Sequence, residues 1–177
     1  LVRKLIRRQP AARVVVTGRD PKTLAEAALS IGNGALALRS DISELDSLDM
    51  VIATMRERLG RIDVLFVNAG IGTFAPIPTV TPQLWDQVQA VNLKGCFFAA
   101  QKALPLMGKG GSIVFTGSIG SVLAVPGNAV YAAAKAGLKE GDVVVEFDGE
   151  RDISARQFTR LVQETADGRM VKIEVLR

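Results

Sequence analysis

RVVVTGRDP, residues 13–21, decides the fold. Three valines in succession suit a strand covered on both faces, the pattern of a parallel sheet packed between helices. Gly18 ends that strand and Pro21 opens a helix that runs to residue 29. The chain turns at residues 31–33, and residues 35–38 supply a second short strand that leads to Asp41. Upstream, residues 1–9 fit a helix ended by Pro10.

The alternation continues downstream. Ser43 with Asp46 forms a capping pair for a helix whose apolar positions Leu48, Val51, Ile52, Met55 and Leu59 recur at spacings near three and four. Residues 62–67 read as a strand followed by the turn NAGIG. Thr81 and Pro82 start a long helix through Trp85, Val88, Val91 and Leu93, with proline at its first turn, where a missing amide proton costs little. After the turn GKGG, residues 112–116 form another strand. The order predicts an α/β fold, a parallel Rossmann-like sheet in three layers, with ligands beyond the carboxyl ends of the strands. After Leu138 the pattern changes. A polar turn at residues 139–142 precedes a strand at 143–147, a cap-like Ser154, a helix with Phe158, Leu161 and Val162 on one face, and an alternating strand at 171–176. These predict a small antiparallel α+β unit over residues 139–177, beside a first domain over residues 1–138.

With 177 residues and 48% hydrophobic content, the chain can build one sizeable core and is expected to fold as a soluble globule. Its apolar runs fall short of the roughly 20 residues that span a bilayer, and no secretory signal stands out. The one cysteine, Cys96, rules out an intrachain disulfide and fits a cytoplasmic location. The absence of histidine excludes imidazole ligands and histidine-containing triads, and no metal is expected. The net charge of +4 is concentrated in residues 1–20, where Arg3, Lys4, Arg7, Arg8, Arg13 and Arg19 face only Asp20. A basic arm for nucleic acid or an anionic membrane is one reading of that cluster. A solvated helix edge is the better one, because aromatic residues are absent there and Leu1, Val2, Leu5 and Ile6 suit one apolar face. Neither nucleic acid nor membrane is expected as a partner.

Tyr131, the only tyrosine, precedes Lys135 by four residues, so the two share a helix face one turn apart. A nearby ammonium favours phenolate over phenol, which is what a tyrosine acting as general acid near neutral pH needs. Ser118 can donate to a substrate carbonyl oxygen if its strand end faces Tyr131, and the Asn92 amide can hold a helix backbone open to water. The alternative is a packed ring and a solvated charge on an ordinary amphipathic helix.

These motifs together resemble the short-chain dehydrogenase/reductase family over residues 13–138: NAG at residues 68–70, VNLKG around Asn92, Ser118 thirteen residues before Tyr131, and YAAAK ending at Lys135. The resemblance implies proton transfer by Tyr131, orientation of the reacting oxygen by Ser118, and support of the tyrosine and contact with the nicotinamide ribose by Lys135. It implies a water relay supported by Asn92, and a cofactor lined by Asn68, Ala69 and Gly70 as well as by Tyr131 and Lys135. VVVTGRD is similar to the end of the family's second strand, where an arginine accompanies NADP use. Arg19 is then a bidentate partner for a ribose phosphate, and NADP is favoured over NAD. Asp41 in SDIS matches the acidic residue that contacts the adenine amino group. As alternatives, Arg19 is a surface charge before a helix and Asp41 caps the turn before Ser43. The implied activity is interconversion of a small ketone and a secondary alcohol, by a protein that commonly forms homo-oligomers.

The pattern departs from the family at both ends. The first glycine is Gly18, at the end of the strand corresponding to the family's second, so the glycine-rich turn that cradles pyrophosphate is missing from this sequence. The first strand should lie centrally in the sheet, and its loss is expected to leave an incomplete sheet with uncovered edges. Residues 136–177, from AGLKEGDVVVEFDG to VKIEVLR, resemble the later part of a PDZ domain of the bacterial protease-associated kind. The carboxylate-binding loop of such a domain is absent, which argues against peptide capture by strand addition. The chain then reads as a fusion at AAKAGLKE. Its alternatives to an oxidoreductase are a noncatalytic binding or assembly module and a recombined chain without evolved activity.

Overall fold

The structure is a computed structural model describing residues 11–32, 34–122, 125–141, 143–147, 150–151 and 173–176, with side chains to residue 137. Each of the first turns of structure has a local cause. Strand β1 (Val15–Gly18) ends at a glycine, and Asp20 then caps helix α1 (Pro21–Ile31): its Oδ1 accepts from the Thr23 amide at 2.7 Å, and Pro21 takes the first helical position. That amide bond holds the Asp20 carboxyl below the usual carboxylate range. Strand β2 (Leu36–Arg39) lies parallel to β1, with Val15 opposite Leu36 and Gly18 opposite Arg39.

Helix α2 (Leu45–Leu59) departs from the sequence expectation at its start. Its N-cap is Glu44, one residue beyond Ser43, and makes no side-chain capping bond, while the Ser43 hydroxyl donates to Asp41 Oδ1 at 2.6 Å. Asp46 remains in the first turn, where its charge suits the helix dipole. Strand β3 (Ile62–Val67) follows and pairs in parallel with β4 (Met107–Phe115). Strand β4 begins five residues earlier than its sequence pattern suggests, taking in GKGG as an irregularity in the ladder. Ile62 faces Met107 while Val64 already faces Ser112, and Gly110 takes φ 84°, a left-handed conformation that a side chain would resist.

The long helix predicted from residue 81 is three segments. Thr81 Oγ1 accepts from the Leu84 amide and starts α3 (Pro82–Gln89), which passes into a π-helical stretch, Ala90–Gly95, and then α4 (Cys96–Ala103). Helix α5 (Ala129–Gly141) carries Tyr131 and Lys135. Two apolar clusters hold the helices in place. Ile62, Ala103 and Leu106 pack with Ile52, Met55, Leu65 and Met107, while Val88, Val130 and Ala134 pack with Ile71, Val80, Leu84 and Leu93. The first cluster fastens α2 and α4 to β3, and the second fastens α3 to α5.

Among the described residues the parallel strands form two separate pairs, β1 with β2 and β3 with β4, rather than one continuous sheet. The fold is therefore α/β with parallel strands and helices, as expected, but with a partial sheet. Beyond α5, β5 (Val143–Phe147) pairs antiparallel with β6 (Glu150–Arg151) and with β7 (Ile173–Leu176), giving the order β6-β5-β7. The helix expected after Ser154 lies outside the described residues. No helix among the described residues is long and apolar enough to cross a membrane.

Candidate active site

Strand β4 and helix α5 bring the predicted chemistry together. Lys135 reaches from α5 to the strand end, where Nζ donates to the Thr116 carbonyl at 2.8 Å, and it is only 3% exposed. A solvated surface lysine does not describe it. Its ammonium stands 5.9 Å from the centre of the Tyr131 ring, so the helical spacing does place the two groups side by side.

Ser118 lies in the loop after β4. Its Oγ accepts from the Gly120 amide at 3.1 Å and its carbonyl accepts from the Ser121 hydroxyl at 2.6 Å, which winds residues Ile119–Ser121 into a 3-10 turn. Gly120 sits where three side chains converge. A Cβ added there would lie 2.8 Å from Asn128 Nδ2, 3.4 Å from Ser118 Oγ and 3.7 Å from Tyr131 Cε1. The serine, the tyrosine and Asn128 therefore surround one small volume, and glycine leaves it open.

Asn92 is completely buried in the π-helical stretch. Its Oδ1 accepts from the Ile71 amide and its Nδ2 donates to the Ile71 carbonyl, both at 2.8 Å. The amide side chain thus clamps the backbone immediately after the NAG turn. The π geometry shifts the helix's own hydrogen bonds locally, a device frequently found at functional sites. A Cβ on Gly70 would lie 3.1 Å from Asn92 Oδ1 and 3.7 Å from Lys135 Nζ, so the turn, the asparagine and the lysine are packed together. Asn68 Oδ1 accepts from the Thr116 hydroxyl at 2.8 Å, and the Ala69 carbonyl lies 3.7 Å from Cys96 Sγ. Burial pushes the Cys96 thiol up, against the opposing pull of the Lys135 charge.

These groups open onto a cleft of about 500 Å³. Asn68, Gly70, Thr116, Ser118, Tyr131 and Lys135 form its polar wall, while Ile71, Phe74, Ile119 and Val125 form an apolar one. Asn92 and Ala69 stand behind the wall. Arg19 and Asp41 stand apart from it, following the carboxyl ends of β1 and β2. Arg19 Nη1 is 3.6 Å from Asp41 Oδ2, and Asp41 Oδ1 accepts from both the amide and the hydroxyl of Ser43. Burial raises the affinity of Asp41 for its proton, but the Ser43 hydrogen bonds and the Arg19 charge outweigh it and hold the carboxyl below its ordinary value. The turn-capping alternative for Asp41 is thus realised, although its second oxygen remains turned toward Arg19.

Sequence reasoning missed Asn128, which is buried and lines the cleft three residues before Tyr131. The only signal was its place in VPGNAVY, a polar residue just ahead of a helix. It also missed Arg39, whose Nε donates to the Arg19 carbonyl at 3.3 Å and places a second guanidinium at this strand end.

A tyrosine and a buried lysine one turn apart, a serine beside them and an NAG turn on the same cleft coincide with a family model, short chain dehydrogenase, that matches residues 1–141. The chain belongs to the short-chain dehydrogenase family. An oxidoreductase from Sarocladium schorii is 35% identical over 133 residues, covering 74% of this chain and 53% of the relative. A versicolorin reductase from Emericella nidulans is 34% identical, with 72% of this chain and 50% of the relative covered. Among solved structures, a short-chain dehydrogenase/reductase of the glucose/ribitol dehydrogenase type from Brucella melitensis superposes with a TM-score of 0.73 at 28% identity, over 78% of this chain and 60% of its own. The chain spans about half the length of the curated relatives it matches.

Membership implies a nicotinamide dinucleotide cofactor, and the residues present fit its two ends, while the glycine-rich turn for its pyrophosphate is not in this sequence. Gly70 keeps the cleft wall beside Lys135 free of a side chain, Asn68 and Thr116 supply polar groups, and Arg19 and Arg39 concentrate positive charge beyond β1 and β2.

Proposed function

We propose that the cleft is the reaction site of an NADP-linked short-chain oxidoreductase that interconverts a ketone and a secondary alcohol. The observation that carries this reading is the convergence of Tyr131, Ser118 and Lys135 on one cleft with the NAG turn. Tyr131 gives its phenolic proton to the carbonyl oxygen in reduction and takes it back in oxidation. Ser118 donates to the same oxygen and orients it. Lys135, held in place by Thr116, stabilises the phenolate electrostatically and offers its remaining donors to ribose hydroxyls. Asn92 fixes the NAG turn through Ile71, and the π-helical backbone around it supports the water path by which the proton reaches solvent. Hydride chemistry is supplied by the bound cofactor, so the chain's work is positioning and electrostatics.

Asn68, Ala69 and Gly70 line the nicotinamide side, and Asp41 faces the adenine. Arg19 and the neighbouring Arg39 favour the 2′-phosphate of NADP over NAD. Self-association is part of this reading, supported by exposed Trp85 on α3 and Phe97 on α4. For residues 139–177 the likeness to the later part of a PDZ domain rests on the sequence pattern alone.

The test has two stages. Calorimetric titration with NADPH and NADH should give saturable one-site binding that favours NADPH. Tyr131→Phe should then abolish carbonyl reduction while leaving NADPH binding intact, and unchanged turnover in that variant would refute the proton-transfer assignment.

A further inference from the structure

We propose that the substrate taken by this cleft is an uncharged ketone with an apolar, ring-sized body, rather than a sugar or a keto acid. The inference rests on reading the cleft as a carbonyl-reducing site and adds the chemistry of what enters it.

The lining divides sharply. Hydrogen-bonding groups that can address a reacting oxygen, Ser118, Asn128 and Tyr131, are gathered around Gly120 at one place. Apart from the NAG turn, Thr116 and Lys135, the remaining side chains of the lining are Ile71, Phe74, Ile119 and Val125. Phe74 is 71% exposed and Ile119 72% exposed, each a large apolar side chain standing in water beside the reacting groups. An apolar body laid on them removes that surface from water, which is favourable in proportion to the area covered.

Among the described residues, that apolar face offers the alternatives no side-chain partners. Among the described residues Lys135 is the one charged residue lining the cleft, and its ammonium is already bonded to the Thr116 carbonyl, deep beside the NAG turn. A carboxylate or phosphate on the substrate would have to be stripped of water against phenylalanine, isoleucine and valine. Those hydroxyls of a sugar that lay against the apolar wall would likewise lose their water without replacement. The volume of about 500 Å³ is shared between the nicotinamide end of the cofactor, on the side of Asn68 and Gly70, and the substrate, on the side of Phe74 and Ile119.

Binding and turnover are measured separately. Calorimetric titrations of 2-decalone, dihydroxyacetone and pyruvate are made with the NADPH-containing protein and with its Ile119→Ser, Phe74→Ser and Tyr131→Phe variants, each checked for fold by circular dichroism. Both apolar positions are exposed, so serine there should leave the fold intact. The expected result is saturable binding of 2-decalone to wild type and Tyr131→Phe, weakened about tenfold or more by either serine substitution, with no saturable binding of the two polar ketones. Absence of saturable 2-decalone binding, equal binding of dihydroxyacetone or pyruvate, or indifference to both serine substitutions overturns the proposal. Reduction is followed in parallel by NADPH absorbance. Selective 2-decalone binding without reduction overturns the catalytic reading alone, whereas Tyr131-dependent reduction of pyruvate or dihydroxyacetone in preference to 2-decalone overturns the substrate class alone.

Discussion

Replacing Asn92 with leucine tests whether the site is built on a clamp between the π-helical stretch and the NAG turn. Leucine is close in size but removes both 2.8 Å hydrogen bonds to the Ile71 backbone. Each backbone group left without a partner in a buried place costs about 1–3 kcal/mol. Ile71 is half-buried, so water offsets part of the loss, and two groups together should cost about 3 kcal/mol. For a chain of this size that corresponds to a melting midpoint lower by ~6–12 °C. Aspartate at the same position keeps the acceptor for the Ile71 amide but turns a second oxygen toward the Ile71 carbonyl and buries a charge, so Asn92→Asp should be at least as damaging. Urea unfolding followed by far-ultraviolet circular dichroism measures the change, with an unaltered slope showing that the denatured state is unaffected. A loss below about 0.5 kcal/mol for Asn92→Leu would refute the clamp, because that is the scatter of neutral surface substitutions.

Gly95→Ala should destabilise the protein by about 1–3 kcal/mol despite alanine's higher helix propensity. Its Cβ would run into the Ile42 carbonyl oxygen and come within 2.9 Å of the Ala90 carbonyl oxygen, and both obstacles are backbone. Gly108→Ala, where a Cβ meets open space, is the matched control, and equal melting midpoints for the two variants would count against the packing argument. The lowered proton affinity of Asp41 adds stability that is fully present above the ordinary carboxylate value of about 3.9 and is lost as pH falls through its folded value. Wild type should therefore exceed Asp41→Asn in stability at neutral pH, with the difference closing in acid; a difference independent of pH would remove Asp41 ionisation from the account. Cys96, buried and with its thiol pushed up, should react with a thiol reagent at pH 8 only slowly until denaturant is added, and rapid labelling of the folded protein would contradict its placement.

Much of the fold was legible because its signals are local. The valine run marked β1, proline following an N-cap residue marked the starts of α1 and α3, and the YAAAK spacing put Tyr131 beside Lys135. What was hidden depends on partners distant in sequence. Trp85, Val88, Val91 and Leu93 fit one continuous helix, but the π-helical stretch is held by Asn92 reaching 21 residues back to Ile71 and by Gly95 lying against Ile42. Ser43 has the composition of a capping residue, yet the helix begins one residue later with Glu44 as its N-cap, and the Ser43 hydroxyl and amide both donate to Asp41. Asn128 gains its place from the approach of Gly120 across the loop, which no spacing rule encodes.

The separation of the two parallel strand pairs bears on how the molecule carries torque. A continuous sheet resists twisting through its ladder of backbone bonds, but no such ladder joins β1 and β2 to β3 and β4 among the described residues. Arg19 and Asp41 ride on one ribbon, whereas Asn68, Ser118, Tyr131 and Lys135 ride with the other. Contacts that tie the two together include Gly95 against Ile42 and Arg13 on the carbonyls of Arg58 and Leu59. Loosening either of these bearings would alter the span between Arg19 and Lys135, the distance that the proposed dinucleotide would bridge, without changing either residue.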